Sequence, residues 1–347
     1  MVTINIKEIQ EDFIRRYGGS AENLKTFGVC SDLTILGNGF SLSTEKYYSL
    51  PISIRTYITL RITDDDNFYL RHSYDDTEYV SSKKKLLSYK ENVLEGKIFK
   101  IIAHAGKKIP GAQILFNYDV TSKAFMNPLS CVYCACGLLS GTKIPGCHEF
   151  KIITDAKKQT GNIPCLLYGR KNHLTASEEP YEYVPFNLSG KKIILASASL
   201  KKEDIDKNLL QHLENTSNSK NNSNVYEKYI DNEIQRIGQI SGVLMKDKGN
   251  IIKVSDKLKK SSYEYCSILK KNSMALKQML KVAKETNFCD TVLVAPKYNA
   301  IAAIVEEKNV DAFIDAFSKS GEKVFSSQIK YYITETENSG TEIINKN

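Results

Sequence analysis

The sequence has no apolar run that approaches the roughly 20 residues a membrane-spanning helix needs. Its first residues, Met1 to Glu8, lack the charged and then apolar pattern of a secretory signal peptide. No Gly-rich phosphate loop and no internal repeat occur in the 347 residues. We therefore expect a cytoplasmic protein, and a chain of this length with 41% hydrophobic residues is large enough for a substantial core in two lobes.

Cysteine is too sparse for a disulfide framework, which belongs to short secreted domains, because only eight occur in the whole chain. Cys131, Cys134 and Cys136 are close enough together to suggest a metal site. A zinc site needs a second, well-separated pair, and the spacing of Cys147 and Cys165 is unsuitable for that. We interpret the three clustered cysteines as small buried residues of a packed helix, and we expect no metal.

The charge is mildly basic, with a formal net charge of +8, and the lysines are scattered along the chain. Nucleic-acid binding requires clustered positive charge more than a net excess, so we do not expect it. The runs Lys83–Lys85 and Lys257–Lys260 are typical of solvated helix faces. A weak surface for a nucleic acid or an acidic partner at these runs stays open as an alternative.

Histidine is also scarce, with five residues. His148 precedes Glu149, but adjacent side chains on a helix or strand point in different directions and do not readily form a catalytic dyad. No Gly-x-Ser-x-Gly elbow supports a serine hydrolase. The other four histidines are dispersed, and we interpret them as surface or loop residues: His72, His104, His173 and His212.

The first half of the chain alternates strand and helix patterns. An amphipathic helix is predicted over Ile9–Tyr17, and Asp64–Asn67 is predicted to form the tip of a β-hairpin. A buried helix is predicted over Leu129–Leu139, with Pro128 in its first turn, where proline costs no hydrogen bond. Strands are predicted at Ser53–Ile62, 98–104, 113–118, Ile163–Tyr168 and Lys192–Ala198.

The last third of the chain follows a segment, Asn215–Asn224, that is too polar to form a core and is predicted to be a disordered loop. Two helices are predicted from apolar residues at helical spacing, the second capped by Asn309. Their apolar residues are Leu276, Met279, Leu280 and Ala283 in the first and Val310, Phe313, Ile314 and Phe317 in the second. With strands at Thr291–Ala295, Ala300–Val305 and Gln328–Thr334, this region predicts an α+β arrangement of helices on an antiparallel sheet.

Three stretches of the sequence resemble galactokinase, a member of the GHMP small-molecule kinases. Residues 181–197 (YEYVPFNLSGKKIILAS) are similar to the segment in which Tyr-x-x-Val-Pro leads through Leu-x-Gly into a central strand. Residues 164–170 (PCLLYGR) resemble the strand that ends in Asp-Cys-Arg, and residues 310–317 (VDAFIDAF) resemble the helix after the last motif. The resemblance implies the two-lobed α+β GHMP kinase fold, with an S5-like N-terminal lobe over 1–190 and a ferredoxin-like C-terminal lobe over 191–340.

The first signature motif of that family, Gly-Arg-x-Asn-Leu-Ile-Gly-Glu-His-x-Asp-Tyr, grips the sugar with charged groups. The matching stretch keeps the apolar residues and Gly37. However, Asp32 stands at the Arg position, Asn38 at the Glu, Gly39 at the His and Ser41 at the Asp. The resemblance thus implies that the backbone of this motif is retained and that its sugar-binding groups are lost.

The second motif, Gly-Leu-Ser-Ser-Ser, holds ATP phosphates on backbone amides at a helix N-terminus. The matching stretch has Phe125 in place of the glycine, followed by Asn127 and Pro128, and proline has no amide donor. The third motif is rich in glycine, whereas its counterpart Pro296–Asn299 contains none. His148 lies at or near the position of the catalytic aspartate.

Because all three motifs and the catalytic aspartate are altered together, the resemblance implies a catalytically degenerate galactokinase, a pseudokinase that acts as a binding or regulatory protein. It implies a protein partner and no cofactor, while a small-molecule ligand stays open. Phe125 and Tyr298 could fill the cleft between the lobes. The alternative is a divergent ATP-dependent sugar or small-molecule kinase that uses Mg-ATP, with Lys123 and Lys297 as phosphate contacts.

Overall fold

The computed structural model describes residues 5–38, 47–90, 93–105, 108–120, 126, 128–140, 165–169, 183–198, 223–268, 274–298, 300–322, 324–325, 328–336 and 342–343. Within these ranges, the helices are α1 (Ile6–Tyr17), α2 (Leu94–Ala105), α3 (Pro128–Ser140), α4 (Ser223–Lys246), α5 (Ser255–Ile268), α6 (Met274–Glu285) and α7 (Val310–Gly321). Short 3-10 helices lie at Lys83–Ser88, Ile251–Val254, Pro296–Tyr298 and Glu307–Asn309.

The strands form two separate sheets. The first half of the chain contributes β1 (Lys25–Leu36), β2 (Tyr47–Thr63), β3 (Asn67–His72), β4 (Tyr79–Ser82), β5 (Gly111–Tyr118), β6 (Cys165–Gly169) and β7 (Tyr183–Pro185). The second half contributes β8 (Lys191–Ala198), β9 (Cys289–Ala295), β10 (Ala300–Glu306), β11 (Ile329–Thr334) and β12 (Glu342–Ile343).

The first sheet has the order β12-β1-β2-β5-β3-β4, and β6 extends β2 and pairs with β7. The second sheet has the order β11-β8-β10-β9 and is antiparallel throughout. The change of sheet falls between Pro185 and Lys191, although β12 returns to pair with β1. The fold is therefore a mixed α+β architecture built on two sheets.

The hydrophobic core does not divide where the sheets do. One cluster packs α2 and α3 against the first sheet, through residues such as Phe27, Phe99 and Val132. The larger cluster joins the second sheet and helices α4 to α7 to the far ends of β1 and β2, where Leu33 and Leu50 are buried. Strand β1 thus runs from one core into the other.

Most predicted elements are confirmed, and their bounds differ by a few residues. The helix predicted over Ile9–Tyr17 begins earlier, at Ile6, because the Asn5 side chain caps it by accepting the Lys7 N–H at 3.0 Å. Asn309 occupies the predicted cap position of α7, but its side chain makes no capping hydrogen bond. Of the predicted loop at 215–224, the last two residues belong to α4, and the rest lies outside the described residues.

The strand predicted at 98–104 is wrong, because this segment belongs to helix α2. Its apolar residues include Ile98, Phe99 and Ile102, which lie on one helical face and are buried against the first sheet. A short run of apolar residues fits a strand and a buried helix equally well, and here tertiary packing selects the helix.

The hairpin predicted at Asp64–Asn67 is also wrong, although the turn itself is present. Strand β5 lies between β2 and β3, antiparallel to β2 and parallel to β3. At the point of insertion, a Cβ on Gly111 would lie 2.6 Å from the Asn67 carbonyl oxygen, so only glycine allows this close approach. The insertion of a strand from residues 111–118 is a long-range pairing that no local pattern predicts.

The surface location predicted for His72 is wrong. His72 is fully buried at the end of β3, where its ring stacks between Tyr74 and Phe116. Its Nδ1 lies 2.7 Å from the Tyr118 hydroxyl, and its Nε2 lies 3.7 Å from Glu95 Oε1. The alternation of buried residues along β3 brings His72 to the inner face. His104 is exposed as predicted, while His173 and His212 lie outside the described residues.

Candidate functional site

The structure describes only part of the predicted site. Asp32, Asn38 and Pro128 lie within the described residues, as does the backbone of Lys297. The remaining predicted site residues lie outside them: Ser41, Lys123, Phe125, Asn127 and His148. The described part of the candidate site therefore lies at the end of β1, around Asp32 and Asn38.

Asp32 and Tyr298 connect the first-motif strand to the third-motif turn. Asp32 pairs with Pro51 in the ladder between β1 and β2. Tyr298 ends the 3-10 turn between β9 and β10, and only 3% of it is exposed. Its hydroxyl donates a hydrogen bond to the Asp32 carbonyl oxygen. The structure thus brings together the two positions that the resemblance assigns to the first and third motifs, and the Tyr298 ring is buried in the larger hydrophobic cluster.

The turn after β1 is held by side chains from α4. Gly37 has a positive φ of 78°, a conformation that favours glycine. The Gly37 N–H donates to Glu233 Oε1 at 3.1 Å, and the Asn38 carbonyl oxygen accepts from the Tyr229 hydroxyl at 3.0 Å. Both backbone groups therefore already have partners inside the protein.

Glu233 is the centre of a buried charged network. It is fully buried, and its Oε1 also accepts from the Ser261 hydroxyl at 2.6 Å. Its Oε2 pairs with Arg236, which in turn donates to Glu264. Burial would lower the pKa of Arg236, but the two carboxylates outweigh that effect and raise the pKa above its ordinary value. The guanidinium thus stays charged and links α4 to α5.

Sequence reasoning missed Glu233 and Arg236, although a signal for them exists. Both fall on the stripe of α4 that includes the buried residues Tyr229, Ile237 and Ile240. Charged residues on an otherwise apolar helix face are seldom buried without partners. An acid and a base three positions apart on such a face would therefore have indicated a buried ion pair.

Pro128 occupies the first position of α3 and is buried, as predicted for the helix that follows the second motif. Because proline has no N–H, this helix start offers one amide fewer to an anion. Mg-ATP is the cofactor that the alternative prediction requires, and the described residues do not fit it well. Proline stands at the position that the resemblance assigns to the phosphate loop, and Tyr298, in the turn that it assigns to the third motif, is buried.

The clustered cysteines are buried in α3, in agreement with the packing interpretation. Cys131, Cys134 and Cys136 are all nearly inaccessible, and the Cys131 thiol donates to the Thr56 carbonyl oxygen at 3.4 Å. Among the described residues, no group of three or more metal-ligating side chains could hold a metal ion. Burial raises the pKa of Cys131 far above its ordinary value and that of Cys136 to about 12.

We expect native Cys131 and Cys136 to resist thiol reagents. With a pKa of about 12, the reactive thiolate is only about 1 in 30,000 of the Cys136 population at pH 7.5. Mass-spectrometric mapping after iodoacetamide treatment checks this, with urea-unfolded protein as the control in which both are labelled. Rapid labelling of either residue in the native protein would contradict the packing interpretation.

Several solved structures are similar to this chain over most of its length. The structure of Lactococcus lactis galactokinase in complex with galactose superposes with a TM-score of 0.77, covering 98% of this chain and 100% of that one. The chain has the galactokinase fold. Sequence identity with that enzyme is only 14%, so the likeness extends to the architecture alone.

Other proteins with the GHMP kinase fold are similar at lower scores. Methanococcus jannaschii mevalonate kinase has a TM-score of 0.60 at 11% identity, and the match covers 90% of this chain and 98% of the enzyme. A protein from Listeria innocua has a TM-score of 0.63 at 10% identity, with 93% and 100% covered. No protein-family model matches the sequence, and no curated protein matches it. Within the described ranges, no helix is long and apolar enough to cross a membrane.

Proposed function

We propose that this chain is a cytoplasmic binding or regulatory protein that uses the galactokinase fold without transferring phosphate. The observation that carries the proposal is the contact between Tyr298 and Asp32. In the motifs that the sequence resembles, these two places belong to a glycine-rich turn and to a charged sugar-binding residue. Here the turn carries a buried tyrosine, and a backbone carbonyl of the strand is its hydrogen-bond acceptor.

The turn after β1 supports the same proposal. The Gly37 amide and the Asn38 carbonyl are bonded to Glu233 and Tyr229, so the Gly37 N–H is not free to donate to a sugar oxygen. Asn38 also stands where the family has a glutamate. A scaffold whose polar groups are satisfied internally keeps its shape without a substrate, as a protein that acts through a partner requires. We infer that the partner is a protein and that no cofactor is needed.

Thermal unfolding with and without Mg-ATP, and separately with galactose, tests the proposal. A ligand at 100 times its dissociation constant should stabilise the folded state by about 2.7 kcal/mol. We expect no shift with either ligand, and an active galactokinase measured in parallel shows that the assay detects both. A clear Mg-dependent shift with ATP would contradict the proposal. It would favour the divergent kinase, with Lys123 and Lys297 as the first residues to substitute.

A further inference from the structure

Strand β4 is the edge of the first sheet, and its outer backbone groups have no strand partner among the described residues. It pairs with β3 in a register that places Ser81 opposite Phe68. The Lys83 N–H continues this pattern, because it donates to the Asp66 carbonyl oxygen at 2.8 Å. Inward and outward backbone groups alternate along an antiparallel strand. The N–H and C=O groups of Val80 and the N–H of Ser82 therefore point away from β3, whereas the Ser82 carbonyl oxygen accepts from the Ser81 hydroxyl at 3.4 Å at the start of the 3-10 helix.

The surroundings of this edge suit an extended polypeptide. Beside the strand lies a groove of about 410 Å³, lined by Val80, Ser81, Ser82, Lys85, Ser88 and Tyr89. Its polar groups are hydroxyls and one ammonium, and no carboxylate lines it. The side chain of Val80 is 46% exposed, and that of Leu87, in the 3-10 helix that follows, is 57% exposed. An added strand would have backbone groups to pair with and apolar side chains to contact.

The segment that follows the edge, residues 83–108, is mainly positive, although the exposed carboxylates of Asp66 and Glu78 lie near the two ends of β4. Six lysines in this part of the chain are exposed: Lys83, Lys84, Lys85, Lys90, Lys97 and Lys108. None of the six forms an ion pair with a described residue. The only described carboxylate between residues 83 and 108 is Glu95, which is largely buried and lies beside His72. A partner whose carboxylates lie along this segment would therefore meet lysines that have no described carboxylate partner.

We propose that β4 and the lysines after it bind an extended acidic segment of a protein partner, which adds to the first sheet as a further strand. The N–H and C=O of Val80 and the N–H of Ser82 would pair with the backbone of the segment, and its carboxylates would lie against Lys84, Lys85 and Lys90. A nucleic acid would use the charge but not the strand edge, so the edge favours a peptide. The proposal does not depend on whether the chain transfers phosphate.

Lysines on an exposed edge strand also have a protective role, because they discourage aggregation through edge-to-edge pairing. That role alone would leave the surface without a ligand. Binding of an acidic strand-forming peptide, and its dependence on the backbone of β4, separates the two interpretations.

Fluorescence anisotropy of the full chain with a labelled peptide of alternating glutamate and valine or threonine is the test. We expect saturable binding that weakens with salt. Val80→Pro removes one outward N–H and should weaken binding by about tenfold, in keeping with the loss of one or two hydrogen bonds. Lys84→Glu with Lys85→Glu should weaken it by about tenfold or more through repulsion. The matched control is Lys228→Glu with Lys284→Glu, which has the same net charge as the Lys84/Lys85 double variant. It should bind the peptide as tightly as the natural protein does.

A second measurement keeps the test decisive if Val80→Pro lowers the unfolding temperature. Two peptides are N-methylated at every second residue, one at the odd positions and one at the even positions. Because only every second N–H of the peptide faces β4, only one of the two peptides loses strand pairing, and the protein itself is unchanged. We expect one of the two to bind and the other to fail. Absence of binding by the unmodified peptide, or equal binding of the two methylated peptides, would overturn the proposal. Preferential binding of a single-stranded oligonucleotide that is insensitive to Val80→Pro would also overturn it.

Discussion

Replacing Glu233 by alanine is expected to lower the free energy of unfolding by about 3–5 kcal/mol, because it leaves the buried charge of Arg236 without its nearest partner. The change also removes the acceptor of the Gly37 N–H and of the Ser261 hydroxyl. Each buried donor left unsatisfied costs about 1–3 kcal/mol, so the upper part of the range is expected. Urea unfolding followed by circular dichroism measures the loss.

Two controls make the Glu233 prediction specific. Glu307→Ala removes a carboxylate that is 66% exposed and pairs with Lys192 at 3.4 Å, and it should cost about 0–1 kcal/mol. Glu233→Met combined with Arg236→Met removes both charges and should cost less than Glu233→Ala alone, since no buried charge is left unpaired. A loss below about 1 kcal/mol for Glu233→Ala would mean that this network does not hold α4 to the turn after β1.

Replacing Tyr298 by alanine is expected to cost about 3–5 kcal/mol, the range for removing a buried aromatic side chain. The ring belongs to the larger hydrophobic cluster. Tyr298→Phe keeps the ring and loses only the hydrogen bond to the Asp32 carbonyl, so it should cost about 1 kcal/mol. The two variants together separate the packing of the ring from the bond that its hydroxyl donates.

The Tyr298 variants also bear on the site. If Tyr298→Ala gained a Mg-dependent thermal shift with ATP while the natural protein had none, the ring itself would be what excludes the nucleotide. We expect no such gain, because Pro128 and the altered first motif remain. Equal stability of Tyr298→Ala and the natural protein would contradict the burial of this ring.

Part of the site was predicted from local pattern, and part could not be. The resemblance in sequence predicts that the glycines of the third motif are absent at 296–299 and that Asp32 and Asn38 stand in place of an arginine and a glutamate. The hydrogen-bond partners of Gly37 and Asn38 come from α4, which lies about 190 residues further along the chain. The bonds from Tyr229 and Glu233 to the turn after β1 are long-range contacts, which periodicity does not encode.

The sequence by itself determined the elements whose apolar residues repeat on one face, such as α6 and α7, because that pattern is stable only when the face is buried. It also determined the strands of the second sheet, where apolar β-branched residues favour a strand over a helix. Only the tertiary structure decided that 98–104 is a helix, that β5 separates β2 from β3, and that His72 is buried. Each of these depends on which distant segment packs against it, and the free energy of that packing exceeds the local preference of the chain.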